Sequence, residues 1–124
     1  MRNVDVAIIG AGSGGLSARR EVAKKTDNYV VIDGGKLGTT CARVGCMPSK
    51  VLIQIAQDFE RRKKLAEQGI MGAENLSIDT VQVMKHVRKL RDRFVSGVLG
   101  GGRSWMEQKL MPDYASFIDA NTLQ

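Results

Sequence analysis

The only two cysteines in the chain, Cys41 and Cys46, lie in residues 38–50, written GTTCARVGCMPSK. Two thiols this close can store and release an electron pair, or they can ligate a metal. A regular helix sets residues five apart at about 7.5 Å along its axis, beyond the roughly 7 Å Cα limit for a disulfide. A bond between the two sulfurs therefore requires the backbone to fold back, and Gly45 is where it can. Cys46 is expected just before a helix N-terminus, with Lys50 in the first turn; both features favour a thiolate over a thiol. A metal is less well served, because the C-x4-C spacing offers two ligands and nothing supplies a second pair at zinc-like spacing. The sole histidine, His86, falls at the edge of an apolar helical seam far along the chain. It reads as a structural or surface residue rather than a catalytic one. Met47 and the other methionines read as core filler.

A second group of residues points to a phosphate ligand. Gly10, Gly12 and Gly15 match G-x-G-x-x-G within Gly10-Ala11-Gly12-Ser13-Gly14-Gly15. The first glycine permits a tight exit from a strand, the second lets backbone approach a pyrophosphate, and the third lets a helix lie close to a sheet. The N-terminus of that helix faces the phosphate charge. Asp33, about 20 residues on, can accept hydrogen bonds from ribose hydroxyls.

The elements that must position these groups follow from hydrophobic patterning. Residues 4–9 predict a short buried strand, residues 16–25 a helix with Ala18 and Ala23 on the sheet side, and residues 29–32 a second buried strand ending at Asp33. This is a βαβ unit, the context that gives the glycine motif its weight. Pro48 suits the first position of a helix. Residues 49–68 carry apolar side chains at Leu52, Ile55, Ala56, Phe59, Leu65 and Ala66, and Gly69 ends them. Residues 70–77 read as a connector. Asp79 is an N-cap candidate for a third helix with the seam Val83, Val87, Leu90, Phe94 and Val98, ended by Gly100-Gly101-Gly102. Trp105 lies in an expected irregular stretch, and residues 114–119 predict a strand leading to a turn at Asn121 and Thr122.

A chain of 124 residues and 43% apolar composition holds one domain with a core and is unlike a disordered segment. No apolar run reaches the length of a membrane span, and residues 4–9 are too short for a signal peptide and carry Asp5, so a cytoplasmic location is expected. Two close cysteines in that setting suggest redox chemistry or metal. The net charge of +6 gathers at residues 61–64 and 85–93, both on helical patterns and without interleaved aromatics. A solvated face fits this better than a nucleic-acid site.

Taken together, GAGSGG, Asp33 and GTTCARVGCMPSK resemble the class I pyridine nucleotide–disulfide oxidoreductases. Within that class they look most like dihydrolipoamide dehydrogenases, with glutathione reductase and mercuric reductase as cousins. The resemblance implies an α/β fold: a partial Rossmann-like FAD-binding domain with parallel strands and two long helices after a redox-active disulfide. It implies that residues 1–124 are the N-terminal part of that domain, the remaining FAD strands, the NAD(P) domain and the dimer-interface domain being absent. It further implies that FAD is held by Gly10, Gly12, Ser13, Gly14 and Gly15 at the pyrophosphate and by Asp33 at the adenosine ribose. Gly34, Lys36, Gly38, Thr39, Thr40, Gly45 and Lys50 would complete the cofactor site with the two cysteines, and Ala115 would return past the adenine. By position, Cys41 would be the interchange thiol and Cys46 the charge-transfer thiol.

Electrons would pass between a small-molecule or lipoyl-type dithiol, the cysteine pair, FAD and NAD or NADP. The parent enzyme would be a homodimer whose interface domain supplies a histidine–glutamate pair. The chain alone is expected to retain FAD weakly or not at all and not to turn over. Four residues depart from the family pattern. Asp33 stands for the usual Glu, Thr39 for the second glycine of Gly-Gly-Thr-Cys, and Ala42-Arg43 for an apolar-Asn pair. Arg43 is expected to raise thiolate content or shift substrate choice. Two other readings compete: a redox or nucleotide-binding module without turnover, and a basic interaction module.

Overall fold

A computed structural model describes residues 2–124. The chain forms two compact units, Met1–Thr40 with Val95–Gln124, and Cys41–Phe94.

In the first unit, β1 (Val6–Ile9), α1 (Ser13–Val22) and β2 (Tyr29–Ile32) form the expected βαβ unit. The strands pair in parallel with Val6 opposite Tyr29 and Ile9 opposite Ile32. All four residues of β2 are buried and Val31 is wholly inaccessible, as a continuous β-branched run demands of a central parallel strand. β1 lies at the sheet edge, so the expectation of a buried strand holds only for Ile8; Ile9 is 52% exposed.

The helix differs from its expectation in register. It begins at Ser13 and ends at Val22, and Ala18 and Ala23 are exposed. Leu16 and Val22 pack instead on Ile8, Tyr29 and Val31. The physical reason is the larger apolar surface those two side chains bury, which outweighs two alanines. Arg19 shares their stripe, with its guanidinium 4.9 Å from the Trp105 ring centroid and Nη1 donating to Tyr29 Oη at 3.3 Å.

The stretch expected to be irregular is ordered. α5 (Arg103–Lys109) leads into β3 (Leu110–Met111), which pairs in parallel with β2 at Val31 and Ile32. A separate antiparallel hairpin, β4 (Phe117–Asp119) and β5 (Thr122–Leu123), turns at the expected Asn121.

The second unit is helical. α2 (Thr40–Arg43) ends in a bend at Val44 and Gly45, and α3 (Cys46–Leu65) follows. Cys46 is thus the first residue of α3 rather than the residue before it, and Pro48 is third. A proline anywhere in the first turn forfeits no intrahelical bond. Val51, Ile55, Phe59 and Leu65 are half-buried, while Leu52 and Ala56, expected on the same face, are exposed. Gly69 closes the helix with φ 80° after a 3-10 turn.

α4 (Thr80–Gly100) has the expected cap: Asp79 Oδ1 accepts from Val81 N at 2.9 Å and Gln82 N at 3.0 Å, a feature worth about 1 kcal/mol. Its seam is also as expected. Val87 is buried and Val83, Leu90, Phe94 and Val98 are half-buried. Among the described residues no helix is long and apolar enough to cross a membrane.

Candidate functional site

The bend between α2 and α3 brings the two cysteines together. Gly45 caps α3 with φ −117° and ψ −117°, and Ser49 secures the turn by donating its hydroxyl to Gly45 O at 2.5 Å. Both cysteines are free thiols. The Cys41 thiol is pushed up, first by its hydrogen bond to the Cys46 side chain, then by burial and by the Cys46 charge; Lys50 pulls the other way. The two thiols edge one cavity and lie close enough for Cys46 to act on Cys41. Lys50, one helical turn beyond Cys46, acts on Cys41 as a cation.

The thiols edge a cavity of about 580 Å³, a size typical of small-molecule sites. Met47, Val51, Ile55, Leu90 and Phe94 give it an apolar wall; Lys50, Gln54 and His86 supply its polar groups. His86, far from the cysteines in sequence and exposed, lines the same cavity as both of them. A signal was present. His86, Leu90 and Phe94 are spaced four and four, which places the histidine on the face of two seam residues.

Just before α2 the backbone is strained. Gly38 has φ 106° and Thr39 φ 63°, and a buried β-branched residue in the left-handed region costs of order 1–3 kcal/mol. Such outliers gather at functional sites, and this one stands two residues from Cys41.

The glycine loop belongs to the other unit. Gly10 leaves β1 with φ 99°, and Gly10 N donates to Ile32 O at 2.7 Å. A Cβ on Gly15 would stand 1.8 Å from Gly10 O, so the close approach of α1 to the loop admits only glycine. Gly12 differs. Its φ is −73°, and a Cβ there meets nothing within 4 Å. Nothing in the chain itself requires glycine at 12, whereas a pyrophosphate laid against that backbone would, and the loop fits such a group. Gly14 is equally open, and Ser13 begins α1.

Asp33 stands at the end of β2. Its Oδ2 accepts from Ala11 N at 2.5 Å and its Oδ1 from Gly35 N at 2.8 Å. Each carboxylate oxygen keeps a further lone pair for another donor. Gly34 faces the Tyr114 ring so closely that a Cβ would lie 2.5 Å from it. Lys36 and Thr40 are exposed, and Ala115 is half-buried ahead of the hairpin closed by Ser116 and Gln124.

A model of the family described as "Pyridine nucleotide-disulphide oxidoreductase" matches residues 4–110. The chain belongs to this family. Among its oxidoreductase relatives, the dihydrolipoyl dehydrogenase of Geobacillus stearothermophilus is 35% identical over 124 residues, 97% of this chain and 25% of that protein. The dihydrolipoyl dehydrogenase of Bacillus subtilis is 31% identical over 120 residues, again 97% of this chain and 25% of the relative. The chain thus spans about a quarter of the length of these relatives. Among solved structures, the Cu(II) complex of the HOCl-induced flavoprotein disulfide reductase RclA from Escherichia coli aligns with a TM-score of 0.71 at 20% identity, over 97% of this chain and 24% of that one. The mixed α/β fold of this oxidoreductase family, with its three-stranded parallel sheet, is the fold of this chain.

Proposed function

We propose that the chain is the N-terminal part of the FAD-binding domain of a dithiol–disulfide oxidoreductase of the dihydrolipoyl dehydrogenase type. The observation that carries this reading is the placement of Cys41 and Cys46 on one cavity, on either side of the bend before α3, in a chain of this family. Cys41 exchanges with the substrate dithiol, and Cys46 closes and opens the disulfide behind it. Gly12 leaves room for the pyrophosphate, the N–H groups of the first turn of α1 face its charge, and the spare lone pairs of Asp33 accept ribose hydroxyls. Lys50 holds a positive charge beside whichever sulfur ionises. Bound FAD supplies the two-electron relay between the cysteine pair and NAD or NADP. A lipoyl-type dithiol, a homodimeric assembly and a cytoplasmic location complete the proposal.

The test is an anaerobic dithionite titration of the purified full-length parent enzyme. Wild type takes up four electrons per flavin, two at the flavin and two at the disulfide, and Cys41→Ser takes up two. A wild type that accepts only two electrons, with Cys41 and Cys46 inert to disulfide reagents, would overturn the reading.

A further inference from the structure

We propose that Tyr114 is the stacking platform for the purine base of the bound dinucleotide, beside the ribose acceptor Asp33. The inference rests on the FAD reading of the glycine loop and Asp33, and adds a residue that the glycine motif does not specify. β1, β2 and β3 run parallel and end together at Ile9, Ile32 and Met111, the edge where open α/β sheets take their ligands. At that edge one atom gathers two stretches of chain. Met111 O accepts from Asp33 N at 3.0 Å and from Asp113 N at 2.9 Å, and Asp113 Oδ1 accepts from Tyr114 N at 2.8 Å. The acid and the aromatic are thus pinned to the same carbonyl. Ser116 fixes the far side through its backbone pair with Gln124.

The Tyr114 ring lies flat on Gly34. A Cβ built on that glycine would stand 2.5 Å from Cδ2, 2.6 Å from Cε2 and 2.9 Å from Cγ. Cδ2 is bonded to the other two, and an approach at the ring edge would leave both of them much farther off than Cδ2. Near-equal distances put Gly34 under the ring face instead. Any side chain at 34 would displace the ring, so the glycine there serves the tyrosine. The residue is nonetheless 79% exposed, which leaves the opposite face open. An aromatic plate backed by main chain on one side and open on the other suits a base, because stacking uses the π-face of the base and not its edges. Asp33 directly precedes Gly34, so a ribose whose hydroxyls reach the carboxylate carries its base to this plate. The spare lone pairs of Asp33 and the ring of Tyr114 thus address two parts of one nucleoside.

The experiment measures the dissociation constants of FAD and FMN for the apo form of the full-length parent enzyme, read by flavin fluorescence. FMN carries the isoalloxazine and one phosphate without the adenosine, and wild type is expected to bind FAD more tightly. Tyr114→Ala is expected to weaken FAD about tenfold, the size of a lost base–aromatic stack. Its apo form is expected to melt with wild type, because the side chain removed is an exposed one. Tyr114→Phe keeps the plate and is expected to bind FAD within about twofold of wild type. An unchanged FAD constant in Tyr114→Ala, or a Tyr114→Phe as weak as Tyr114→Ala, overturns the proposal. So does an FAD loss accompanied by a matching loss of apo stability, or a wild type that holds FMN as tightly as FAD. Tighter FAD binding by Tyr114→Ala overturns it too, because the ring would then occupy the place of the base. A wild-type enzyme that binds neither flavin sinks instead the FAD reading beneath it.

Discussion

The Asp33 carboxylate accepts the Ala11 amide at 2.5 Å, tying the end of β2 to the loop that leaves β1. Ala11 is buried, so an unpaired amide there meets little water. Removing a charged acceptor from a buried donor costs about 1–3 kcal/mol. Asp33→Ala is expected to lose that much in urea denaturation and to weaken flavin retention. A variant with wild-type stability and flavin content would show that the contact holds nothing in place.

Gly15 and Gly12 belong to one motif and answer to different demands. At Gly15 the added carbon collides with Gly10 backbone, which cannot swing aside as a side chain does. Gly15→Ala is expected to cost about 1–3 kcal/mol or more, the penalty for overpacking. At Gly12 the carbon meets nothing, and the change costs only the lesser capping ability of alanine, at most about 1 kcal/mol. Gly12→Ala is therefore expected to melt near the wild-type temperature while losing flavin. Matching losses of stability in the two variants would contradict a ligand-directed role for Gly12.

Features specified within a few residues were legible from sequence, and features made by distant partners were not. The buried run of β2, the Asp79 cap and the four-three-four-four seam of α4 each carry their own local pattern. β3 is two residues long and exists because Val31 and Ile32 offer a free edge, a signal that its own composition lacks. α5 has no side-chain cap and is held through Trp105 against the βαβ core. Ala18 and Ala23 were misplaced because small apolar residues fit a core face or a surface equally well. His86 was legible as a seam neighbour, but its sharing of a cavity with residues some 40 positions earlier depends on how the helices of the second unit pack.

Lys109 makes a contact no motif announces. Its ammonium donates to Asp27 O, lies 3.0 Å from Asp27 Oδ1 and sits 5.3 Å from the Tyr29 ring centroid, with the side chain 12% exposed. The Asp27 carboxylate is 93% exposed, so the ion pair itself contributes little. The buried stem and the bond to the carbonyl dominate. Lys109→Ala is expected to cost about 1–3 kcal/mol, and Asp27→Asn under about 1 kcal/mol. Equal costs in chemical denaturation would reverse that ranking.

The cysteine pair makes a prediction in pH. Cys41 is raised, first by its hydrogen bond to Cys46, so the folded, reduced protein holds that proton to higher pH than an ordinary thiol does. The linked stability is complete below the ordinary thiol range and is lost as pH rises through the raised value. In alkylation of the reduced protein, Cys41 is expected to react slowly at neutral pH, with a rate that climbs at higher pH than for an unfolded control. Cys46→Ala removes both the hydrogen bond and the neighbouring charge, and burial alone remains to hold the thiol up. The Cys41 profile is then expected to move to lower pH, with faster alkylation at any given pH below its plateau. Mass-resolved iodoacetamide kinetics across pH 6–10 measure this directly. A profile that stays in place, or moves upward, would mean that Cys46 does not hold the Cys41 proton.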